Sequence, residues 1–144
     1  MLSYYALFEP DRKSGYSVSF PDLNHGATQG ETIDEAREMA VDLLQSIIGE
    51  LMKRGDSLPA STKHRGRQYR LISLPALQSA KSGLYLAFRQ SGLTKSEFGR
   101  RIGVAKANVD RLFDFSHASR LDQIEAAFHA LGKRLEVAIH DDAA

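Results

Sequence analysis

Within LTKSEFGRRIGVAKANVDRLF, residues 93 to 113, four side chains have the types and spacing to read a nucleic acid: Lys106, Ala107, Asn108 and Arg111. On a helix from Lys106 to Phe113, Val109 and Leu112 are committed to a core, and these four form the face left over. Lysine and arginine can donate to guanine, asparagine can pair with adenine, and a small alanine can touch a thymine methyl. Thr94 and Lys95 open the preceding helix, beside its free backbone donors, and are candidates for phosphate contact.

Positioning such a face takes two helices and a tight turn. Thr94 and Glu97 have the T-x-x-E spacing of a capping box, which starts the first helix. Phe98, Ile102, Val109 and Leu112 supply apolar contacts, and Gly103 sits where the turn needs a residue that accepts a positive φ. The pattern predicts a helix-turn-helix, with the first helix across the DNA backbone and the second in the major groove.

Further helices are expected on either side. Ser79 can cap one that runs to about Ser91, with Leu84, Ala87 and Phe88 in the core and Gly92 closing it. A second spans Arg120 to Leu131, striped by Leu121, Ile124, Ala127, Phe128 and Leu131 and closed by Gly132. RLEVAIH (134 to 140) alternates Leu135, Val137 and Ile139 with polar residues and predicts a short terminal strand. A lone strand has no partner in its own domain, so pairing with a second copy, and a homodimer, is the natural reading.

The amino-terminal half reads as β-β-β-α-β. SYYALF (3 to 8) and GYSVSF (15 to 20) suggest a hairpin, the second alternating Tyr16, Val18 and Phe20 with serines. A third strand falls between Gly26 and Gly30, and YRLISLP (69 to 75) is a fourth. Between them Thr32 and Glu35 form another capping box, opening a helix over Ile33 to Arg54. Its apolar stripe is Ile33, Ala36, Ala40, Leu43, Ile47 and Leu51, and Gly55 supplies the cap. Residues 56 to 68 show no period and read as a loop, with TKHRGRQ (62 to 68) as a flexible linker. The whole is α+β, with domains at 1–75 and 79–144.

Charge separates the two halves. The 144-residue chain carries a net +1, yet residues 1 to 54 hold 5 Lys/Arg against 9 Asp/Glu, a net of −4, while the rest is basic. An acidic half repels nucleic acid and favours a basic partner.

Two resemblances then become visible. The helix-turn-helix resembles the XRE/Cro-like repressor class. GYSVSFPDLNHGATQGETIDEAREMAVDLL resembles the HicB antitoxins, through its G-Y-x-V-x-F-P-D-L strand and turn and the T-Q-G-E-T-x-x-E-A run into the helix; HALGKRLEVAI extends the likeness to the end. The resemblance implies a type II toxin–antitoxin module. HicB proteins bind and inhibit HicA, a small basic mRNA-cleaving toxin, and repress their own operon through the carboxy-terminal domain. Their amino-terminal domain is similar to a partly degraded RNase H fold. On that reading the acidic half covers a cationic toxin surface, with Asp22, Glu31, Asp34, Glu35 and Glu38 around the strand-to-helix turn as the toxin-facing residues. The alternative is a stand-alone repressor whose amino-terminal domain senses a small ligand.

Catalysis is not expected. Two-metal nucleases need carboxylates converging from neighbouring strands, but SYYALF has no acid, and Asp11, Asp22, Glu31 and Asp42 fall in turns or on the helix. The histidines lack metal-binding spacing, and no triad is visible around Ser116 and His117. His25 and His64 read as exposed loop residues and His129 as a helix-surface residue. Neither metal nor other cofactor is expected. The chain has no cysteine and no run of the roughly 18 to 20 apolar residues a membrane-spanning helix needs, which points to a cytoplasmic protein. Operator DNA and the toxin are the expected partners, with a dimer and a tetramer both open.

Overall fold

Alternation in the first strand builds the amino-terminal sheet. In the computed structural model, which describes residues 2–24 and 26–142, β1 spans Ser3–Pro10 and buries Tyr4, Ala6 and Phe8 on one face. β2 (Tyr16–Ser19), β3 (Thr28–Gly30) and β4 (Tyr69–Ser73) complete an antiparallel sheet in the order β3-β2-β1-β4. The register sets Phe8 opposite Val18 and Tyr4 opposite Ile72, so the buried residues line one face.

Helix α1 (Ile33–Arg54) covers that face. Its start uses the expected Thr32 cap: the hydroxyl accepts from the Glu35 amide at 3.1 Å. The return bond differs, because the Glu35 carboxylate accepts from the Glu31 amide at 3.0 Å, one residue before the expected Thr32 donor. The helix ends at Gly55, which takes φ 76° and donates to Leu51 and Met52 carbonyls. Its buried stripe is Ala36, Ala40, Leu44, Ile47, Ile48, Leu51 and Met52. Leu44 is fully buried where Leu43 was expected, while Leu43 and Ile33 are half-buried against the same core.

One glycine makes the close packing possible. A Cβ on Gly30 would overlap the backbone of Ala36 in the first turns of α1. β3 can lie against the helix start only because position 30 has no side chain.

The connection from α1 to β4 is tied down at several points. The Tyr4 hydroxyl donates to the Pro59 carbonyl at 2.6 Å, and Asp22 holds Thr62 and His64. The expected flexible linker is therefore anchored at its start. It carries few apolar residues, so periodicity could not reveal an anchoring made by polar side chains distant in sequence.

Four helices follow: α2 (Ala76–Ser91), α3 (Lys95–Ile102), α4 (Lys106–Phe113) and α5 (Leu121–Ala130). α2 starts three residues before the expected Ser79 cap. Pro75 stands at its N-cap position with φ −57°, and the Ser79 amide already bonds the Pro75 carbonyl at 2.8 Å. In α5 Ile124, Ala127 and Phe128 are buried, whereas Leu121, expected in the stripe, is 57% exposed at the helix start.

The expected terminal strand is absent: residues 133–142 form no regular element. Leu135 is half-buried, but Val137 and Ile139 are 70% and 93% exposed. A strand needs a neighbouring ladder for its backbone groups, and this segment pairs with none of the four strands.

Packing is continuous from the sheet to the helices. Phe115, just beyond α4, lies on α1 at Gly49, whose missing Cβ leaves room for the ring. From α2 the Tyr85 hydroxyl donates to the Asp56 carbonyl at 2.6 Å, and Arg89 donates to the Gly55 carbonyl, so α2 holds the carboxyl end of α1. Among the described residues no helix is long and apolar enough to cross a membrane.

Candidate functional site

Helix α4 rests on an aromatic floor. Phe113 meets Phe88 at 5.2 Å, Tyr85 at 5.5 Å and Phe98 at 6.4 Å between ring centroids, and Val109 and Leu112 are buried beside it. Burying those three positions of α4 leaves Lys106, Ala107, Asn108 and Arg111 exposed, the grouping read from the sequence. Asn108 and Arg111 are already paired: the Arg111 guanidinium donates to Asn108 Oδ1 at 2.7 Å. That bond holds two potential base-reading groups one helical turn apart.

Helix α3 is set by its capping box. The Thr94 hydroxyl accepts from the Glu97 amide, and the Glu97 carboxylate accepts from the Thr94 amide, both at 3.1 Å. These bonds to Thr94 hold the Glu97 carboxyl below its usual range. Gly103 closes α3 with φ 73°, as the turn requires, and its amide bonds the Arg100 carbonyl. Lys95 is not free, because its ammonium lies 2.7 Å from Asp110 Oδ1 on the exposed side of α4. This ion pair links the first turn of α3 to α4 and neutralises one of the candidate phosphate contacts.

A feature missed by the sequence reading lies beneath α4. Lys81 of α2 is fully buried, and its ammonium donates to the carbonyls of Arg111 (2.9 Å), Asp114 (2.6 Å) and His117 (2.7 Å). Burial lowers its pKa, opposed by the nearby Asp114 carboxylate. The Asp114 carboxyl is itself held low, chiefly by hydrogen bonds from the Ser116 hydroxyl and amide, at 2.7 and 2.9 Å. A lysine one turn from apolar positions reads as surface in a sequence, so no local signal marks it.

The acidic residues of the amino-terminal half divide into two groups. Glu31, Asp34 and Glu38 are exposed around the start of α1, with Glu31 accepting from the Ser14 hydroxyl at 2.9 Å. Glu35 is used in helix capping. Asp22 is turned inward: its side chain is 11% exposed and accepts from the Thr62 amide (2.6 Å) and hydroxyl (2.7 Å), with His64 Nε2 at 3.1 Å. Burial works against its charge, but the bonds from Thr62 and His64 prevail and hold the carboxyl low. A single solvent-facing cluster of all five acids, as expected from their closeness in sequence, does not form.

His64 also departs from the exposed-loop expectation. It stacks on Tyr69 at 5.0 Å and meets Tyr5 edge-on at 6.3 Å, half-buried on the outer side of the sheet. His129 is exposed on α5 as expected, and His25 lies outside the described residues. Among the described residues no group of three or more His, Asp or Glu could hold a metal ion.

Residues 3–83 match the family described as the HicB_like antitoxin of bacterial toxin-antitoxin systems. The chain belongs to this family. It is similar along nearly its whole length to Antitoxin HicB of Escherichia coli (strain K12), 35% identical over 136 residues, covering 94% of this chain and 98% of the relative. Antitoxin HicB 1 of Photorhabdus laumondii is 33% identical over 138 residues, covering 96% and 87%. Two solved structures have a similar arrangement: a toxin–antitoxin complex from Streptococcus pneumoniae (19% identity, TM-score 0.46, 74% of this chain and 92% of that one) and the Burkholderia pseudomallei antitoxin HicB (20%, 0.43, 72% and 96%). Family membership makes the chain an antitoxin of a toxin–antitoxin system.

Proposed function

We propose that this HicB-family antitoxin binds and inhibits a HicA-type mRNA-cleaving toxin through its amino-terminal half, and represses its own operon by binding DNA as a dimer. The reading is non-catalytic. The observation that carries it is the division of exposed charge: Glu31, Asp34 and Glu38 around the start of α1, Lys106 and Arg111 on α4. An acidic surface complements a cationic RNA-binding toxin, while α4 offers donors suited to base edges and α3 a helix start suited to phosphate.

In this reading α3, Gly103 and α4 are an XRE/Cro-like helix-turn-helix. Lys106, Ala107, Asn108 and Arg111 face the major groove, with Thr94 and Lys95 at the backbone. The amino-terminal β-β-β-α-β unit, residues 1–75, corresponds to the degraded RNase H-like part of the family, and residues 79–144 to the DNA-binding part. Exposed Val137 and Ile139, with Leu135, are the dimerisation residues, pairing as strands between two copies. Two recognition helices would then meet half-sites about 34 Å apart.

The test is co-expression with the product of the adjacent small reading frame. A stable complex in which RNA cleavage is blocked is expected, together with retardation of a duplex from the chain's own promoter. Free cleavage in the presence of excess antitoxin would refute the toxin half of the proposal. Equal affinity for promoter and scrambled duplexes would refute the operator half.

A further inference from the structure

The buried ammonium of Lys81 sits where α4 ends, and nothing in the exposed DNA-facing set accounts for it. Helix α4 leaves its last carbonyls without intrahelical partners, and the chain then turns sharply through residues 114–119 toward α5. Lys81 accepts no bonds and has exactly three donors to give. All three go to main-chain oxygens spaced through this region: Arg111 in the last turn, Asp114 at the cap, and His117 in the turn beyond. Gln78, one turn earlier on α2, adds a bond to the Phe115 carbonyl at 3.3 Å.

We infer that Lys81 is the positioning residue of the recognition helix: its ammonium organises the carboxyl end of α4 and the following turn, and thereby fixes the angle at which Asn108 and Arg111 are presented to DNA. The inference rests on the DNA-binding reading above. A charge near the negative end of a helix is favourable in itself. A surface cation would provide that much, however. What a buried, three-fold donor adds is a single geometry: each of the three carbonyls already accepts a main-chain amide, from Asp114, His117 and Ser119 in turn, and Lys81 ties all three to one point, while any bond it lost would leave part of a buried ammonium unpaired. Lys81 is also part of the helix whose Tyr85 and Arg89 hold the end of α1, so α4 is referenced through α2 to the amino-terminal half.

Being fully buried, Lys81 contacts no phosphate, which separates positioning from charge. The experiment compares the full-length parent with Lys81→Met, which keeps the length of the side chain and removes the donors, and with the milder Lys81→Gln. Each is titrated by fluorescence anisotropy against a promoter duplex and a scrambled duplex across a range of salt, and assayed for inhibition of the co-expressed toxin. The expected result is a fall of ten-fold or more in the promoter-to-scrambled affinity ratio, an unchanged salt slope and intact toxin inhibition. Mere loss of folded protein would weaken both duplexes equally and leave the ratio alone; that outcome overturns the inference. A salt slope reduced by about one unit overturns it too, since it means a phosphate contact. So does loss of toxin inhibition in both variants, which would make Lys81 a support of the whole chain. If the parent itself does not prefer the promoter duplex, the DNA-binding reading fails first, and this inference with it.

Discussion

Asp22 and Thr62, forty residues apart in sequence, are joined by two hydrogen bonds, from the Thr62 amide at 2.6 Å and its hydroxyl at 2.7 Å. The pair closes the α1–β4 connection over the end of β2. Asp22→Ala removes the charged acceptor of both Thr62 bonds and frees His64, and is expected to lower stability by about 1–3 kcal/mol. The dependence on pH follows from the direction of the shift. The Asp22 carboxyl is held below its ordinary 3.8 in the folded chain, so its contribution is complete above that value and disappears as pH falls through the lower, folded one. Denaturant melts at pH 7 and below pH 4 should show the variant's deficit shrinking in acid. A deficit of the same size at both pH values would show that Asp22 acts without its charge.

Gly30→Ala adds one methyl group where the first turns of α1 already lie. Backbone atoms of Glu35 and Ala36 must move, and overpacking of this kind costs about 3 kcal/mol. The expected outcome is a fall in thermal midpoint accompanied by loss of toxin inhibition, because the acidic residues at the helix start shift with it. An unchanged melting curve would mean that β3 does not pack on α1 as described.

How much of this could be read from the chain alone is clear in the contrast between two of the glycines that end helices and the lysine that supports one. Gly55 and Gly103 follow periodic runs, and each takes the left-handed conformation its position demands. Local rules govern such positions, so α1, α3 and α4 were legible to the residue, and so was the face carrying Lys106, Asn108 and Arg111. Lys81 and Asp22 take their roles from partners 30 to 42 positions away, and no local pattern encodes those. The α2 start shifted for an intermediate reason: Ser79 is a good cap in isolation, but Pro75 begins the helix a turn earlier.

Lys95 and Asp110 form a 2.7 Å ion pair on the exposed side of α3 and α4. Asp110→Asn releases the ammonium and removes the negative charge beside it. Promoter affinity is expected to rise at low salt, with the slope of log affinity against log salt steepening by about 0.9 as one more phosphate contact forms. The pair is exposed, so stability should change by less than about 1 kcal/mol. A slope equal to that of the parent would remove Lys95 from the phosphate-contacting set.

Glu31, Asp34 and Glu38 are the acids of the proposed toxin surface that are exposed and not used in capping. Reversing two of them, Glu31→Lys with Asp34→Lys, should slow toxin association and weaken the complex at low salt by ten-fold or more, while promoter binding stays within error. Asp34 lies in the first turn of α1, where negative charge favours the helix, so a loss of up to about 1 kcal/mol is expected from that change alone. Undiminished toxin binding would move the contact surface elsewhere on the sheet.

Val137 and Ile139 expose apolar side chains at alternate positions of a segment that forms no strand within its own chain. Alternation without a ladder is the state of a strand that lacks its neighbour, and a second copy can supply both the hydrogen bonds and the apolar contact. The double change Val137→Asp with Ile139→Asp places like charges at the proposed contact without touching any buried residue. It should shift the chain toward monomer in light scattering coupled to size exclusion. Promoter affinity should then fall, because one recognition helix reaches only one half-site, whereas toxin inhibition by the amino-terminal half should persist. A variant that stays dimeric would place the dimer contact elsewhere, and the exposed edge of β4 would be the next surface to change.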